Sequence, residues 1–418
     1  MIDIEFIRKN PEKAKEKCRE KKSNVDIDRI LELDKKRRKM IETIEGLKAE
    51  QNKISDKHRH KSEDDYRKAR EIKERIKMLE PELKKVKDEF YELMLKVPNF
   101  SLPDVPKGES ENDNIVIERV GEKPKFNFPV KDYLTLSLSL DIIDIKRASK
   151  ISGPRFGYLK NEGAILEFAL INYTLDTILK KGFIPVVPPV MIKEKAMRAM
   201  GYIEGLDKQE MYYLPQDKLY LVGTSEQSIG PYYMDEILNE SDLPKRFLGF
   251  STCFRREAGS YGRDTRGIFR VHQFDKLEMF CLVKPEDSVK EHLNLLSLQR
   301  KLLDGLKLPY RIVRICTGDL SFPSASSFDI ETWFPSENKY RETHSTSNCT
   351  DFQTRRLNIR YKSKDGKKFF PHSLNGTAFA IGRIIIAILE NYQQEDGSIK
   401  IPEILKKYVG KDKISYQK

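Results

Sequence analysis

Between Ile27 and Val97 the chain contains a single glycine, Gly46, and two long series of residues spaced alternately three and four apart. The first runs Ile30, Leu33, Arg37, Met40, Ile44, Leu47, Gln51, Ile54. The second runs Ile72, Ile76, Leu79, Leu83, Val86, Phe90, Leu93, Val97 and is apolar throughout. A stripe of that period lies along one side of a helix and has to be covered by another stripe of the same kind. The intervening Ser55–Asp65, SDKHRHKSEDD, is too polar to continue either series. The pattern therefore predicts an antiparallel helical hairpin, each arm on the order of 40 Å long at about 1.5 Å per residue. Pro81, inside the second series, is expected to bend or loosen its helix. Lys35, Lys36, Arg37, Arg38, Lys39, Arg59, Lys61, Lys84, Lys85 and Lys87 give the outer faces a basic character. Such a rod can be a dimerisation element or spacer, or it can lie along a phosphate backbone. The stripes alone do not choose between these.

Asn99–Asn114, NFSLPDVPKGESENDN, breaks the periodicity with prolines, a glycine and acids and reads as a connecting segment. Beyond it the texture changes. Strand-like runs occur at Phe183–Pro188, Lys218–Gly223, Arg246–Phe254, Ile268–Val283, Tyr310–Cys316 and Ser327–Phe334; helical patterns occur at Glu162–Lys180, Ser225–Leu238, Pro285–Leu306 and Ala378–Tyr392. Strands in blocks joined by tight loops, with helices set apart, predict an α+β domain on an antiparallel sheet. The expected organisation is a helical hairpin over 1–98, a linker over 99–120 and an α+β domain over 121–418.

The content of charged residues, 34% against 39% hydrophobic, fits a molecule with a long solvated helical part. Lys plus Arg exceed Asp plus Glu by 77 to 65, a net charge of +12 that leans towards a polyanionic partner. The five cysteines are scattered with no C-x-x-C pair, so no zinc site or disulfide framework is expected. They read as reduced thiols of a cytoplasmic protein. No run of 18 apolar residues suggests a membrane span.

The stretch Phe254–Phe280, FRREAGSYGRDTRGIFRVHQFDKLEMF, carries the chemistry. Taken as two strands around the loop Ala258–Gly267, it places Arg255 and Glu257 on one face of the outgoing flank. On the return flank Arg270, His272, Phe274, Lys276 and Glu278 share a face, and Val271, Leu277 and Met279 lie on the other. The second set reads as core. The first mixes guanidinium forks suited to phosphate oxygens, a ring on which a base can stack and carboxylates able to accept from an amine. That is the make-up of a nucleotide pocket with an amine subsite, although a charged surface hairpin has the same alternation.

This stretch resembles motif 2 of the class II aminoacyl-tRNA synthetases in the version found in seryl-tRNA synthetases of the bacterial type. LNGTAFAIGRIIIAILENYQ, Leu374–Gln393, resembles motif 3, and GFIPVVPP, Gly182–Pro189, resembles motif 1. The likeness extends to Thr224–Glu226, Arg341–Asn348, Asp351–Arg356 and PDVPKGESENDN, and spans essentially the whole chain. It implies an α+β fold, a coiled-coil hairpin that binds tRNA, and a class II catalytic domain that forms a homodimer with Pro189 at the interface. It also implies a two-step reaction. Serine and ATP give seryl-adenylate and pyrophosphate, and the seryl group then passes to the 3′ end of tRNA(Ser), and of tRNA(Sec).

The same resemblance assigns residues. Arg255 would grip the α-phosphate and the serine carboxylate, Glu257 would accept from the adenine amino group, Phe274 would stack the base and the backbone near Val271 would frame it. Arg383 would meet the γ-phosphate, and Glu342 and Ser345 would hold Mg²⁺. Arg256, Thr343 and His344 complete the implied ATP site. Thr224, Ser225, Glu226, Arg255, Glu278 and Thr377 form the implied serine pocket, with Glu278 for the ammonium group and Glu226 and Thr377 near the hydroxyl. The nucleophile is already an anion, so the site needs to position and to spread charge; it needs no base. The family more often has an aliphatic residue and two serines where Thr343, His344 and Ser345 stand here. Ser326 and Gln227–Ile229 also depart from its usual pattern. Two other classes would share much of this sequence: a non-catalytic tRNA-binding paralogue, which would have lost some of Arg255, Glu257, Glu278, Glu342 and Arg383, and an enzyme that passes the adenylate to a carrier protein, which would lack the hairpin.

Overall fold

The computed structural model describes residues 1–55, 62–204, 209–258 and 267–416. Arg59 and Lys61 of the expected basic faces, and most of the loop Ala258–Gly267, lie outside the described residues. The chain divides into two compact units, Met1–Pro98 and Asn99–Lys418.

The first unit opens with two short helices, α1 (Ile4–Lys9) and α2 (Pro11–Glu20), followed by two long ones, α3 (Ile27–Ser55) and α4 (Glu63–Leu95). Ser62 starts α4 with a reciprocal capping box to Asp65. The long helices run antiparallel. Leu33 and Met40 pack among Val86, Phe90 and Leu93, and Ile54 packs against Ile72 and Ile76. Both apolar stripes thus meet as their period requires. Arg37, a cation in the first stripe, is accommodated by stacking its guanidinium 4.3 Å from the Phe90 ring centroid and by hydrogen-bonding Asp34 at 2.6 Å. It therefore belongs to the seam and not to the outer basic face. The bend expected at Pro81 does not interrupt α4, which is helical from Glu63 to Leu95 with Pro81 inside it.

The second unit is built on an eight-stranded sheet. Its strands in chain order are β1 (Ile115–Val120), β2 (Ile184–Val186), β3 (Lys245–Phe254), β4 (Gln273–Val283), β5 (Tyr310–Arg314), β6 (Ser326–Phe334), β7 (Lys339–Asn348) and β8 (His372–Ala380). In space they lie in the order β1-β5-β6-β7-β8-β4-β3-β2. All pairings are antiparallel except that of β2 with β3. Three helices, α5 (Glu162–Ile178), α6 (Ser288–Leu306) and α7 (Ile381–Asn391), pack with the sheet to form the main core. The expected core face of β4 is found there: Leu277 and Met279, with Val271 just ahead of the strand, are buried among Leu166, Leu302 and Ile385.

Several expectations at element level are corrected. The segment 99–120 is not a free linker. Asn99 is buried and donates to the carbonyls of Pro323 and Cys349 at 2.9 and 2.8 Å, Val105 packs on Val313 and Ile315, and residues 115–120 form the edge strand β1. Ser225–Leu238 is not one helix but a turn of helix, Glu226–Ile229, a 3₁₀ segment, Gly230–Tyr233, and a short strand, Ile237–Asn239. Gly230 and Pro231 explain the break, since proline supplies no N–H for continuing the ladder. Helix α7 begins at Ile381, because Ala378–Ala380 belongs to β8. Strand β4 begins at Gln273, so Ile268–His272 approach it as irregular chain.

Candidate active site

On the face of β4 opposite the helices, Phe274, Lys276 and Glu278 project as the alternation predicts, and two adjoining cavities open over them. The first is lined by Arg255, Glu257, Val271, Phe274, Glu342, Thr343, Thr377 and Arg383, among others. The second reaches deeper, to Thr224, Glu226, Glu278, Ser345 and Thr377. Arg255, Glu257, Arg270, Lys276, Glu342 and Thr377 line both.

Antiparallel pairing aims these groups. Arg255 follows β3, and its N–H donates to the His272 carbonyl at 3.0 Å, prolonging the β3–β4 hairpin by one step. Its guanidinium stands 5.4 Å from the Phe274 ring centroid and donates to the Gly223 carbonyl at 3.3 Å. Glu257 takes a left-handed backbone conformation, φ +52°, and its carboxylate accepts from Arg270 at 3.0 Å. Such a backbone is uncommon for a residue with a Cβ and re-aims the side chain where the chain leaves the strand.

Across the sheet, Glu342 of β7 meets Arg383 in the first turn of α7. The guanidinium donates to the Glu342 carbonyl at 2.8 Å and lies 3.3 Å from its carboxylate. Burial pushes the Glu342 carboxyl up, but Arg383, Arg255 and Lys276 outweigh it and hold the group below the usual carboxylate range. Arg383 is steadied by Phe269, whose ring also faces Arg341, with centroid distances of 5.0 and 4.1 Å.

The polar groups of the deeper cavity are linked to one another. Glu278 pairs with Lys276 at 2.6 Å and accepts from the Thr377 hydroxyl at 3.2 Å. Glu226, 3% exposed, accepts from the Tyr202 hydroxyl at 2.9 Å and from the Gln353 amide at 3.0 Å. Burial, and then the neighbouring Glu278, push Glu226 up to about 7. The Thr224 hydroxyl accepts from the Glu226 N–H at 3.3 Å, fixing the turn.

Not every expected side chain reaches the cavities. His344 is buried, its Nδ1 against the Thr343 hydroxyl at 2.9 Å and its ring edge-on to Phe379, and burial lowers it to about 3. It fills space behind the site. A register shift in the β6–β7 ladder accompanies this: Glu331 faces Glu342 and Ile330 faces His344, so Thr343 is the extra residue and its hydroxyl turns to Thr332 at 2.7 Å. Arg256 lies over the Tyr212 ring, 5.3 Å from its centroid, and lines neither cavity. Ser225 is wholly buried with its hydroxyl towards the Gly249 carbonyl. Ser326 is buried within β6 opposite Asn348, and Gln227 accepts from the Gly223 N–H at 2.8 Å and so supports the backbone beside the site. Sequence reasoning passed over Phe269, Tyr202, Gln353 and Asp329. Asp329 faces Ser345 across β6–β7 and is pushed well above its usual range by burial and then by Glu342. Of these, Phe269 and Gln353 lay in stretches that the resemblance had picked out, while Tyr202 and Asp329 did not.

The sequence model for the seryl-tRNA synthetase N-terminal domain matches residues 1–101, and that for the class II tRNA synthetase core domain (G, H, P, S and T) matches 212–392. The serine--tRNA ligase of Dictyoglomus thermophilum is 46% identical over 425 aligned residues, covering 100% of both chains. The chain belongs to the seryl-tRNA synthetase family. A serine--tRNA ligase of Thermobifida fusca is 44% identical over 99% of this chain and 98% of its own. Among solved structures, seryl-tRNA synthetase from Pyrococcus horikoshii complexed with ATP superposes with a TM-score of 0.93 at 39% identity, covering 100% of each chain. The cytoplasmic serine-tRNA ligase of Naegleria fowleri in complex with AMP superposes with a TM-score of 0.89 at 32% identity, covering 100% of this chain and 99% of that one. As in the family, the hairpin unit precedes a class II core on an antiparallel sheet, and the chain is an ATP-dependent serine--tRNA ligase.

Proposed function

We propose that the two adjoining cavities carry out the ligase reaction by assigning one subsite to ATP and one to L-serine. The observation that carries this reading is the meeting of Arg255, Glu342 and Arg383 in one cavity with Glu278 and Thr377 in the next. A serine oxygen of the carboxylate attacks the α-phosphorus, and the bond to pyrophosphate breaks with the electron pair leaving on pyrophosphate. Arg255 holds the α-phosphate and the serine carboxylate, Phe274 carries adenine, Glu257 accepts from its amino group and Arg383 meets the γ-phosphate. Glu278 receives the serine ammonium group, and Glu226 with Thr377 reads the hydroxyl. A site that hydrogen-bonds a hydroxyl rejects an analogue lacking it by roughly 10⁴ or more, because its own polar groups are left unpaired.

Glu342 and Ser345 offer only oxygen donors to the cavity, with Asp329 beside them, and a hard divalent cation fits such a set. Mg²⁺ bound there would offset charge on the phosphates. Serine-dependent ATP–pyrophosphate exchange, compared with alanine, glycine and threonine and followed by tRNA charging, tests the assignment. Exchange with serine alone is expected; exchange that prefers another amino acid refutes the serine pocket.

The hairpin Ile27–Val97 is the tRNA arm in this reading. Lys35, Lys39, Lys85 and Lys87 are exposed on it, and basic side chains on a rod suit a phosphate backbone. tRNA(Ser) and tRNA(Sec) are its partners. Removing the hairpin should leave exchange largely intact and weaken charging on the order of 100-fold through binding; full charging by the truncated chain would make the arm a spacer. A homodimer is supported by exposed apolar residues, Ile165 and Phe168 on α5 and Ile184 and Val187 in the motif 1 stretch that ends at Pro189. An active species of 48.8 kDa at all concentrations by light scattering would refute it. Among the described residues no helix is long and apolar enough to cross a membrane, and the cytoplasm is the proposed location.

A further inference from the structure

Lys276 has been given no task so far, yet its position is unusual. It lies in the middle of β4, between Ser251 of β3 and Ala380 of β8, and is only 6% exposed. A buried ammonium is costly unless it is paired. Here the pair is Glu278 at 2.6 Å, the carboxylate that the reading above reserves for the serine ammonium. Lys276 also lines both cavities, whereas its neighbours on the same face divide them: Phe274 lines only the first and Glu278 only the second.

From this geometry we infer that Lys276 is a catalytic cation that changes partner when serine binds, leaving Glu278 for the serine carboxylate and the α-phosphate oxygens. The charge balance requires an exchange of this kind. Before serine arrives, one ammonium satisfies Glu278. Serine brings a second ammonium together with a carboxylate, so the incoming amine takes Glu278 and the displaced lysine has a new anion within the same space. Two ion pairs replace one, and no charge is left buried alone. The lysine then stands between the serine subsite and the nucleotide subsite, where the carboxylate oxygen meets the α-phosphorus. No proton moves in the step. The forming bond is carboxylate oxygen to phosphorus, the breaking bond is phosphorus to the pyrophosphate oxygen, and Lys276 stabilises the charge that gathers on the non-bridging α-phosphate oxygens together with Arg255. A lysine that only neutralised Glu278 would become superfluous on serine binding.

The inference rests on the serine and ATP assignments, and the test separates the two. Serine-dependent exchange by the unaltered full chain is measured first; its absence overturns those assignments and this inference with them. With exchange established, Lys276→Met, which keeps the length and loses the charge, is compared by rapid-quench adenylate formation at saturating serine and ATP. The rate constant is expected to fall about 100-fold or more, with ATP affinity changed less than about threefold. In Lys276→Ala, ethylammonium is expected to restore part of the rate, and the rescue should follow the protonated amine. A rate constant for Lys276→Met within about threefold of the unaltered chain, or a loss confined to serine KM with no amine rescue, shows that the lysine merely neutralises Glu278 and overturns the inference. Should Lys276→Met fail to fold, Lys276→Arg keeps the charge but moves it. A slowed rate constant with serine affinity retained then supports the inference, and an unchanged rate constant overturns it.

Discussion

The two units bury charge for opposite reasons. In the hairpin unit Asp34 is 1% exposed and completely surrounded by its own kind of partner: it accepts from Arg8 at 2.7 and 2.9 Å, from Arg37 at 2.6 Å and from Arg38 at 3.1 Å. Arg8 ties α1 to α3, Arg37 and Arg38 bond Asp34 within α3, and all three serve the fold. In the catalytic unit Glu226, Glu278 and Glu342 face open cavity, with Arg255, Lys276 and Arg383 among them. Those groups leave polar positions for atoms the chain does not contain. The comparison teaches that a buried charge marks a site when its partners leave room, and marks a joint when they do not.

The largest expected effect lies on the side that leaves room. Arg255→Ala and Arg383→Ala are each expected to lower pyrophosphate exchange by about 10²–10³, as for loss of a preorganised charge donor, without shifting the unfolding transition. A variant that keeps near-normal exchange would remove that arginine from the catalytic set.

Asp34→Asn probes the joint. It should destabilise the hairpin unit by on the order of 2 kcal/mol, since three cations lose their shared counter-charge. Burial raises the Asp34 carboxyl, but Arg8 and Arg37 outweigh it and the folded value is lowered. Its contribution is therefore present above the ordinary aspartate range and is lost as pH falls through the lowered value, so the deficit of the variant should shrink in acid. The chain's single tryptophan, Trp333, is buried in β6 of the other unit. Far-ultraviolet circular dichroism should shift while Trp333 fluorescence does not; equal shifts of both would mean that the units unfold together.

Glu167 of α5 lies against Asp275 of β4, and burial followed by that carboxylate pushes it up to about 8. An unfolded glutamate ionises near 4.5, so this group opposes folding progressively as pH rises from there to about 8 and adds no further change above. Glu167→Gln should flatten that decline and gain on the order of 1 kcal/mol over the unaltered chain at alkaline pH. Thermal melts across the range check it, and parallel curves would remove the pair from the stability balance.

The smallest effect belongs to pairs such as Lys48–Glu80, 2.8 Å apart across the hairpin with both side chains about half exposed. Lys48→Ala should cost less than about 0.5 kcal/mol, because solvent screens the pair. A larger loss in urea titration would mean that the rod depends on its surface pairs as well as its seam.

The sequence by itself determined the hairpin almost completely, because a period of three and four is a local property: each residue's place on its helix follows from its neighbours, and two apolar stripes have one way to be covered. It also determined which face of β4 carries Phe274, Lys276 and Glu278, since alternation along a strand is equally local. The family motifs carried most of the candidate site residues. Only the tertiary structure decided which of these groups meet. Arg255 and Arg383 are separated by more than a hundred positions and share a cavity through the order β7-β8-β4-β3, which no local pattern encodes. One extra residue in β7 turns the Thr343 hydroxyl to Thr332 and leaves His344 lining neither cavity, although both stood in the same motif as Glu342. The segment 99–120 shows the limit from the other direction. Its prolines and acids forbid a helix, but whether such a chain floats or packs depends on partners from distant positions. Here the Pro323 and Cys349 carbonyls and the exposed edge of β5 were waiting for it.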